Sequence, residues 1–326
     1  MKYEKLGFTD IEVSKISVGC MSFGEASTMH DWTLSAKDSD MLVKKALEHG
    51  INFFDTANIY SRGTSETFLG RAIKNHIARD KVVLASKVYF NNFEFKTNNG
   101  NLSKAQILQE IDGTLTRLGT DYLDLYIIHR FDYSTPIEET MEALNSLVTA
   151  GKVRALGASA MYGYQFHNMQ HVAELNGWTK FASMQNHYNL LYREDERELI
   201  PICDQFGVSL TPYSPLAAGR LARTNWHADT KRSQTDKTAI SKYDATEEQD
   251  KLIVARVSEL AEKHNVTLSQ ISLAWHFAKG VTSPIIGATK ASYFDDAVGA
   301  LTVNLTAEEV NHLEALYVPH QIVGAI

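Results

Sequence analysis

The sequence predicts a single (β/α)8 barrel, or TIM barrel, with an N-terminal β-hairpin and C-terminal helices. Short apolar runs recur along the chain, amphipathic helical patterns separate them, and eight such strand-helix units can be counted. Nearly continuous apolar strands between helices are typical of a parallel sheet that is buried on both faces. An open, doubly wound sheet has the same alternation, so periodicity by itself leaves it as the alternative.

The bounds of the elements follow from these patterns. The predicted strands are residues 16–18, 52–54, 82–85, 123–128, 155–158, 181–184, 208–211 and 281–286. The predicted helices are residues 38–49, 65–75, 103–118, 137–150, 164–176, 194–206, 250–264, 268–279, 292–300 and 307–316. Residues 3–13 alternate around Gly7 and predict the hairpin. The polar residues 225–246 predict a long irregular loop of the kind that often serves as a lid or a binding loop.

Composition and charge narrow the class of protein. The chain has 326 residues, of which 44% are hydrophobic and 22% charged, so we expect one globular domain over residues 1–326. A net charge of -7 favours neither a nucleic acid nor an anionic membrane as partner. The absence of a long apolar run and of a signal-peptide pattern predicts a cytoplasmic protein. His167 and His171 have metal-ligand spacing but no accompanying third ligand, so no metal is expected.

Polar side chains stand at the carboxyl ends of the predicted strands, where barrel enzymes place their chemistry. The second run ends at Asp55, with Tyr60 close behind it. The third run ends at Ser86 and Lys87, and the fourth ends at His129. Later runs end at Ser159, at Gln185 and Asn186, at Tyr213 and Ser214, and at Gly287 to Lys290.

Asp55, Tyr60, Lys87 and His129 suit the reduction of a carbonyl group. Hydride addition leaves an alkoxide, which must receive a proton as it forms. A tyrosine with its ordinary pKa of about 10 is a poor acid at neutral pH, and a lysine ammonium beside it is expected to lower that pKa. Tyr60 is therefore the predicted proton donor and Lys87 its modulator. Asp55 would hold Lys87 in place, and His129 would form a hydrogen bond with the substrate oxygen.

These residues lie in stretches that resemble the aldo-keto reductase superfamily. The stretches follow the family order and cover almost the whole chain: FFDTANIYSRGTSE (53–66), VVLASKV (82–88), LDLYIIHRFD (123–132), KVRALGAS (152–159), MQNHYNLLYRE (184–194), TPYSPLAAGRL (211–221) and PIIGATK (284–290). The resemblance implies a reductase dependent on NAD(P)H, with Asp55, Tyr60, Lys87 and His129 as catalytic residues. Within the superfamily the chain looks most similar to a bacterial, YajO-like branch that also bears the name 1-deoxyxylulose-5-phosphate synthase.

A cofactor would be held without a Rossmann motif, since no G-x-G-x-x-G opens a helix. Barrels bind phosphates with loop amides near the last strands, and the segment SPLAAGR (214–220) offers small residues and a guanidinium. The resemblance implies that Tyr213 stacks on the nicotinamide while Ser159 and Gln185 bind its carboxamide. The full set of implied cofactor contacts is Gly19, Met21, Asp55, Ser159, Gln185, Tyr213, Ser214, Leu216, Ala217, Gly219, Arg220, Gly287, Thr289, Lys290 and Asp296.

The choice between the two nicotinamide dinucleotides depends on residues that depart from the family pattern. Ala160 stands where the family commonly has Asn, and Tyr293 stands where an Arg often binds the 2′-phosphate. Lys290, or Lys231 and Arg232 from the long loop, would then supply the positive charge. NADP(H) is the favoured cofactor, with NAD(H) as the alternative.

The expected partner is a small-molecule carbonyl compound. Trp32, Tyr89, Phe90, Arg130 and Trp226 are predicted to line its entrance, because the loops that carry them overhang the strand ends.

Three other functions use the same residues. The first is sugar-phosphate conversion of the 1-deoxyxylulose-5-phosphate synthase type, for which Arg130 is the basic residue nearby. The second is a cofactor-binding subunit that senses redox state. The third is an aldolase that forms a Schiff base on Lys87.

Overall fold

The fold is a parallel barrel preceded by a hairpin. The structure is a computed structural model that describes residues 1–26, 32–90, 100–226, 236–287 and 289–319. The hairpin consists of β1 (Tyr3–Lys5) and β2 (Glu12–Ser14). The barrel strands are β3 (Ser17–Gly19), β4 (Phe53–Asp55), β5 (Val83–Val88), β6 (Leu123–Ile128), β7 (Val153–Ser159), β8 (Phe181–Gln185), β9 (Ser209–Leu210) and β10 (Ile285–Gly287).

The strand order is that of a barrel. Strands β3 to β9 pair in parallel with their neighbours in sequence, and β10 returns to pair with β3. Backbone hydrogen bonds from Ile285 N to Pro212 O (2.9 Å) and from Thr282 N to Leu210 O (3.1 Å) join the two ends of the sheet. The predicted (β/α)8 barrel is therefore confirmed, and the doubly wound alternative is excluded.

Helices cover the outside of the sheet. They are α1 (Ala36–Glu48), α2 (Thr64–His76), α3 (Lys104–Leu118), α4 (Ile137–Thr149), α5 (Gly163–Leu175), α6 (Leu199–Phe206), α7 (Lys237–Tyr243), α8 (Glu247–His264), α9 (Leu268–Ala278), α10 (Ser292–Gly299) and α11 (Ala307–Glu314). Local chemistry sets their ends: the Ser103 hydroxyl accepts from Gln106 N before α3, and Gly119 stops that helix with φ 66°. In the described part of the chain, no helix is long and apolar enough to cross a bilayer.

The hairpin closes the amino-terminal end of the barrel. Its turn reaches the start of β9, where Gly7 N donates to Ser209 Oγ (2.7 Å), and Ser14 N donates to the Asn52 side chain beside β4 (2.8 Å). The inward-facing apolar cluster combines hairpin and strand residues: Leu6, Ile11, Val13, Phe53, Val83, Ala85, Leu125, Ile127, Ala155 and Ala182. A larger cluster fills the space between strands and helices. The open end of the barrel is therefore the end formed by the strand carboxyl termini.

Three element bounds differ most from the sequence predictions. Residues 225–246 are not an irregular loop throughout, because α7 and a 3-10 turn (Asp244–Thr246) occupy the part that follows Asp236. The Asp236 side chain accepts from Ala239 N and so starts α7. The predicted helix at 194–206 is a 3-10 turn (Glu194–Arg197) followed by α6, and the last strand begins at Ile285 rather than at 281.

Candidate active site

A buried lysine lies at the centre of the carboxyl ends of the strands. The Lys87 ammonium donates to Asp55 Oδ1 (2.6 Å), to the Thr56 carbonyl oxygen (2.7 Å) and to the Tyr60 hydroxyl (3.2 Å). The Lys87 side chain is 0% exposed and that of Asp55 3% exposed, so the ion pair is removed from water. Gln185 Nε2 donates to the second Asp55 oxygen (2.8 Å). Both carboxylate oxygens of Asp55 are therefore bound, and this orientation fixes the lysine.

The position of Lys87 differs from the sequence expectation. Strand β5 continues to Val88, so Ser86 and Lys87 lie within the strand rather than beyond its end. Successive side chains of a strand point to opposite faces. Ser86 accordingly donates to buried Glu66 on α2 (2.5 Å), whereas Lys87 points into the barrel.

Tyr60 begins a turn with unusual backbone geometry. The 3-10 segment Tyr60–Gly63 holds Ser61 at φ 47° and Arg62 at φ 54°, in the left-handed region. That region costs non-glycine residues about 1–2 kcal/mol each. Gly24 packs against this turn, because a Cβ added to it would lie 2.2 Å from Ser61 Cβ. This contact could not be predicted from the sequence, because it requires the two turns to be adjacent in space.

The expected low pKa of Tyr60 is wrong for this structure. Burial raises the pKa of the Tyr60 phenol above its ordinary value, and the lowering by Lys87 is the smaller effect. Asp55 further raises the Tyr60 pKa, because its charge opposes that of Lys87. The phenol therefore keeps its proton at neutral pH and remains a donor to an oxygen that gains negative charge.

His129 is a neutral imidazole beside Tyr60. It follows β6 directly, and its ring meets those of Tyr60 (5.9 Å) and Phe90 (5.2 Å) edge to face. Burial, helped by the charges of Lys87 and Arg130, holds the pKa of His129 well below its usual value. Among the described residues, His129 Nδ1 is buried without a hydrogen-bond partner. The strand ends thus bring together all four residues that the sequence singled out.

A small cavity lies among the residues that follow β7 and β8, and none of the four residues lines it. Its volume is about 90 Å³, and Ala160, Asn186, His187, Asp195 and Tyr213 are among the residues that line it. Ser159 and Gln185, the predicted carboxamide contacts, are the buried last residues of β7 and β8. A larger open groove of about 510 Å³ lies on the outer helices α8 and α9, and none of the four residues lines it.

The segment predicted to hold a diphosphate has a strained, concave backbone. Ser214 (φ 54°), Ala217 (φ 47°) and Ala218 (φ 54°) adopt left-handed conformations without being glycine. The step from Leu216 (φ -102°) into this left-handed run is a turn conformation of the kind that can direct successive amides toward an anion. The small side chains and this backbone fit the diphosphate of a nicotinamide dinucleotide. Leu216 and Gly219 complete the turn.

Arg220 is held by neighbours of its own. Its guanidinium pairs with Asp244 and stacks on the rings of Trp226 (5.4 Å) and Tyr243 (5.1 Å). A diphosphate would have to share or replace the bond to Asp244.

The predicted adenosine contacts lie near β3 and β10. Gly19 and Gly287 pair in register, and a Cβ on Gly19 would lie 2.8 Å from the Ile285 side chain. Gly19 is therefore required by strand packing whether or not a cofactor is near. Asp296 accepts from the Thr267 hydroxyl (2.7 Å), and Lys290 is exposed. Met21 is partly buried after β3, and Thr289 is partly buried after β10. The predicted charge donors Lys231 and Arg232 lie outside the described residues.

The predicted entrance residues occupy different depths. Tyr89 and Phe90 form an edge-to-face pair (5.1 Å) that reaches His129, and Arg130 donates to the His129 carbonyl oxygen (2.8 Å). Trp32 is buried. Trp226 is also buried and packs on Arg220, so it supports the predicted clamp rather than the entrance.

Sequence reasoning missed the residues that α7 brings to the site. The Tyr243 hydroxyl joins the His187 ring (2.7 Å) and the Asn189 amide (3.1 Å), which anchors the helix over the loop after β8. Lys242 then lies 4.8 Å from the centre of the Tyr213 ring. Asp236, whose side chain accepts from Ala239 N, could have indicated the start of this helix, but the segment around it is polar and was predicted as a loop.

Comparison with known proteins gives the class of this barrel. A model of the aldo/keto reductase family matches residues 15–318, so the chain belongs to that family and is an enzyme of the oxidoreductase class. Members of the family generally use NAD(P)H to reduce carbonyl groups.

Individual relatives cover almost the whole chain. Versiconal hemiacetal acetate reductase of Aspergillus parasiticus is 41% identical over 340 residues, 99% of this chain and 98% of its own. A putative aryl-alcohol dehydrogenase of Schizosaccharomyces pombe, C977.14c, is 40% identical over 348 residues, 99% and 98% of the two chains. The thermostable aldo-keto reductase Tm1743, solved with the inhibitor epalrestat, superposes with a TM-score of 0.77 at 26% identity, covering 97% of this chain and 100% of its own. These two similar sequences are fungal, and the similarity to a bacterial branch stays a prediction.

Proposed function

We propose that the enzyme reduces an aldehyde or ketone to an alcohol with NADPH as the preferred cofactor. The observation that carries the proposal is the buried chain of contacts from Asp55 through Lys87 to Tyr60, with neutral His129 at its edge. In a purely structural ion pair, the two charged groups usually bind only each other. Here Lys87 also binds the Tyr60 phenol at the open end of the barrel.

Residues at the ends of β7 and β8 and in the segment after β9 would hold the cofactor. Tyr213 offers a ring face to the nicotinamide, Ser159 offers a hydroxyl to its carboxamide, and the turn from Ser214 to Arg220 offers amides and a cation to the diphosphate. When bound, the reduced nicotinamide supplies a hydride to the carbonyl carbon. Lys290, exposed beside the predicted adenosine end, supports NADPH over NADH as the preferred cofactor.

The proton moves through the chain's own residues. The Tyr60 hydroxyl donates its proton to the carbonyl oxygen as negative charge develops there. Lys87 stabilises the phenolate that is left, and Asp55 keeps the ammonium charged despite its burial. His129, uncharged, donates a hydrogen bond to the same oxygen and orients the carbonyl. The apolar ring of Phe90 limits access of water to this oxygen.

The test is a cofactor titration followed by turnover in a single variant. NADPH and NADH are titrated separately by nicotinamide fluorescence, and consumption of each is then followed with benzaldehyde. We expect Tyr60→Phe to lower kcat by about 100-fold or more while leaving the Kd for NADPH within about twofold, because general acid catalysis typically contributes this much. Full activity in Tyr60→Phe would remove Tyr60 as the donor.

The alternative functions have their own signatures in the same preparation. Trapping of an aldehyde on Lys87 by borohydride would indicate an aldolase. Tight NADPH binding without turnover of any carbonyl compound would favour a redox-sensing subunit. Conversion of a pentulose phosphate without net consumption of NADPH would favour the sugar-phosphate reaction.

A further inference from the structure

Arg130 and Lys242 are two cations close to Tyr213 in the candidate active site. Arg130 follows His129 directly, and its charge lowers the pKa of His129, of Tyr60 and of Tyr213. Lys242 belongs to α7 and lies 4.8 Å from the centre of the Tyr213 ring. The two cations also repel each other electrostatically, because Arg130 lowers the pKa of Lys242.

In the described part of the chain, neither cation forms an ion pair, although Asp236 exerts a weaker opposite effect on Lys242. Among the residues that the structure describes, no carboxylate lies within ion-pairing distance of Arg130 or of Lys242. Asp132 is near Arg130 in sequence, but its oxygens accept from Leu102 N (2.7 Å), Ser134 Oγ (2.6 Å) and Thr135 Oγ1 (2.5 Å). Asp236 accepts from Ala239 N at the start of α7. Like charges that are partly removed from water cost free energy unless an anion joins them.

Contacts made by the neighbouring residue hold Lys242 in position. The neighbouring Tyr243 is 1% exposed and is bonded to His187 and Asn189, so α7 cannot turn freely about its axis. Arg220, the other cation of this region, pairs with Asp244 and is therefore not part of the set. Arg130 is tethered by its bond to the His129 carbonyl oxygen (2.8 Å).

We propose that Arg130 and Lys242 form an anion-binding subsite of the substrate pocket, and that the preferred substrates are aldehydes or ketones with a carboxylate or phosphate group. The proposal rests on the proposed reductase function, because Arg130 is bonded to His129 and Lys242 lies over Tyr213, and both of these residues belong to the candidate active site. The guanidinium offers paired donors to a planar or tetrahedral anion, and the ammonium adds a second charge.

Matched substrates test the proposal. The pairs are 4-formylbenzoate with its methyl ester, 3-formylbenzoate with its methyl ester, and glyceraldehyde 3-phosphate with glyceraldehyde. We expect kcat/KM for at least one anion to exceed that of its neutral partner by about tenfold to a hundredfold, the range for charge-assisted hydrogen bonds. The benzoate and phosphate pairs distinguish a carboxylate site from a phosphate site.

Single variants assign the preference to the two cations. Lys242→Gln and Arg130→Gln should each lose most of the preference through KM for the anion, while Lys242→Arg should retain it. Lys74→Gln, an exposed lysine on α2, is the matched control and should keep the wild-type preference.

The pH dependence gives a second readout. Burial and the charge of Arg130 lower the pKa of Lys242 to about 8, against a smaller opposite effect of Asp236. The ammonium is therefore present below pH 8 and lost above it, so KM for the anion should rise with pH through this region. Tyr213 carries no charge there, because burial raises its pKa. The ester should show no such rise.

Several outcomes would overturn the proposal. Equal kcat/KM for acids and esters in an active enzyme would do so. So would a weaker Kd for NADPH in both Gln variants with the anion preference intact, since the cations would then serve the cofactor diphosphate. If no aldehyde is reduced, calorimetric titration of 4-formylbenzoate into the protein with NADP⁺ present separates the two proposals. Binding that is lost in Lys242→Gln would keep the subsite and reject the reductase, whereas no binding would reject the subsite.

Discussion

At the scale of the residue, burial decides the behaviour of the titratable groups. Lys87 and Asp55 remain charged inside the barrel because each supplies the charge that the other needs. His129 has no partner of opposite charge, and at Tyr60 burial, helped by Asp55, outweighs the effect of Lys87, so both groups stay neutral. The candidate site therefore combines one fixed ion pair with two neutral donors, which is suited to moving a proton without leaving a net charge behind.

At Asp195, burial of the ionised carboxylate lowers the stability of the folded protein. Its carboxylate lines the small cavity and accepts from the Asn186 amide (3.1 Å). Burial, helped by Glu194, raises its pKa to about 7. The folded protein therefore holds a proton on Asp195 that the unfolded chain, with a pKa of about 3.9, releases. The resulting stabilisation is complete below pH 4 and is lost as the pH rises to 7.

Asp195→Asn should remove the loss of stability that occurs when buried Asp195 ionises. We expect the variant to gain about 1–3 kcal/mol in the free energy of unfolding relative to wild type between pH 5 and pH 8. Urea denaturation at the two pH values measures the change. Asp204→Asn, on the exposed side of α6, is the control and should show no comparable gain. An Asp195→Asn variant whose relative stability is the same at both pH values would contradict the raised pKa.

At the scale of the element, the contact between α2 and α3 restricts position 70 to glycine more strongly than helix propensity favours alanine there. Gly70 lies within α2, where alanine ordinarily stabilises a helix by about 0.5–1 kcal/mol. A Cβ at this position, however, would lie 2.1 Å from the Leu118 carbonyl oxygen at the end of α3. The backbone of α3 cannot yield as a side chain can, so the two helices would have to separate.

Gly70→Ala is therefore expected to destabilise the protein by about 1–3 kcal/mol, the range for overpacking. Gly113→Ala, within α3, is the matched variant, because its Cβ would meet only the end of the Arg117 side chain at 2.8 Å. We expect it to be neutral or stabilising by about 0.5 kcal/mol. Denaturation midpoints of the two variants give the comparison, and a stabilising Gly70→Ala would show that α2 and α3 are less closely packed.

At the scale of the whole molecule, the N-terminal hairpin closes the amino-terminal end of the barrel. Leu6 is 0% exposed within the inner apolar cluster, although it lies in a turn of only a few residues. Leu6→Ala should cost about 2–5 kcal/mol, as for other buried leucines. Phe8→Ala, a residue 53% exposed on the same hairpin, should cost far less.

Thermal unfolding of Leu6→Ala and Phe8→Ala tests whether the hairpin contributes to the stability of the barrel. A single transition that moves to lower temperature in Leu6→Ala would show that the hairpin unfolds with the barrel. A separate early transition, or an unchanged midpoint, would show instead that the hairpin is an appendage.

The sequence by itself determined the barrel and most of its elements. Strand β6 has the bounds that its apolar run predicted, and α3 (Lys104–Leu118) agrees to one residue with the helix predicted at 103–118. Polar residues after apolar runs also identified Asp55, Tyr60 and His129, because periodicity and strand ends are local properties that a single chain displays.

Tertiary structure decided what depends on neighbours that are distant in the chain. It set the high pKa of Tyr60, because burial is a sum over many elements, and it bound Gln185 to Asp55 across the barrel. It also brought Lys242 to Tyr213, since α7 is held by side chains of the loop after β8 rather than by its own propensity. Local sequence encodes which residues can do the chemistry, whereas the field and the contacts that adjust them arise only when the strands have closed.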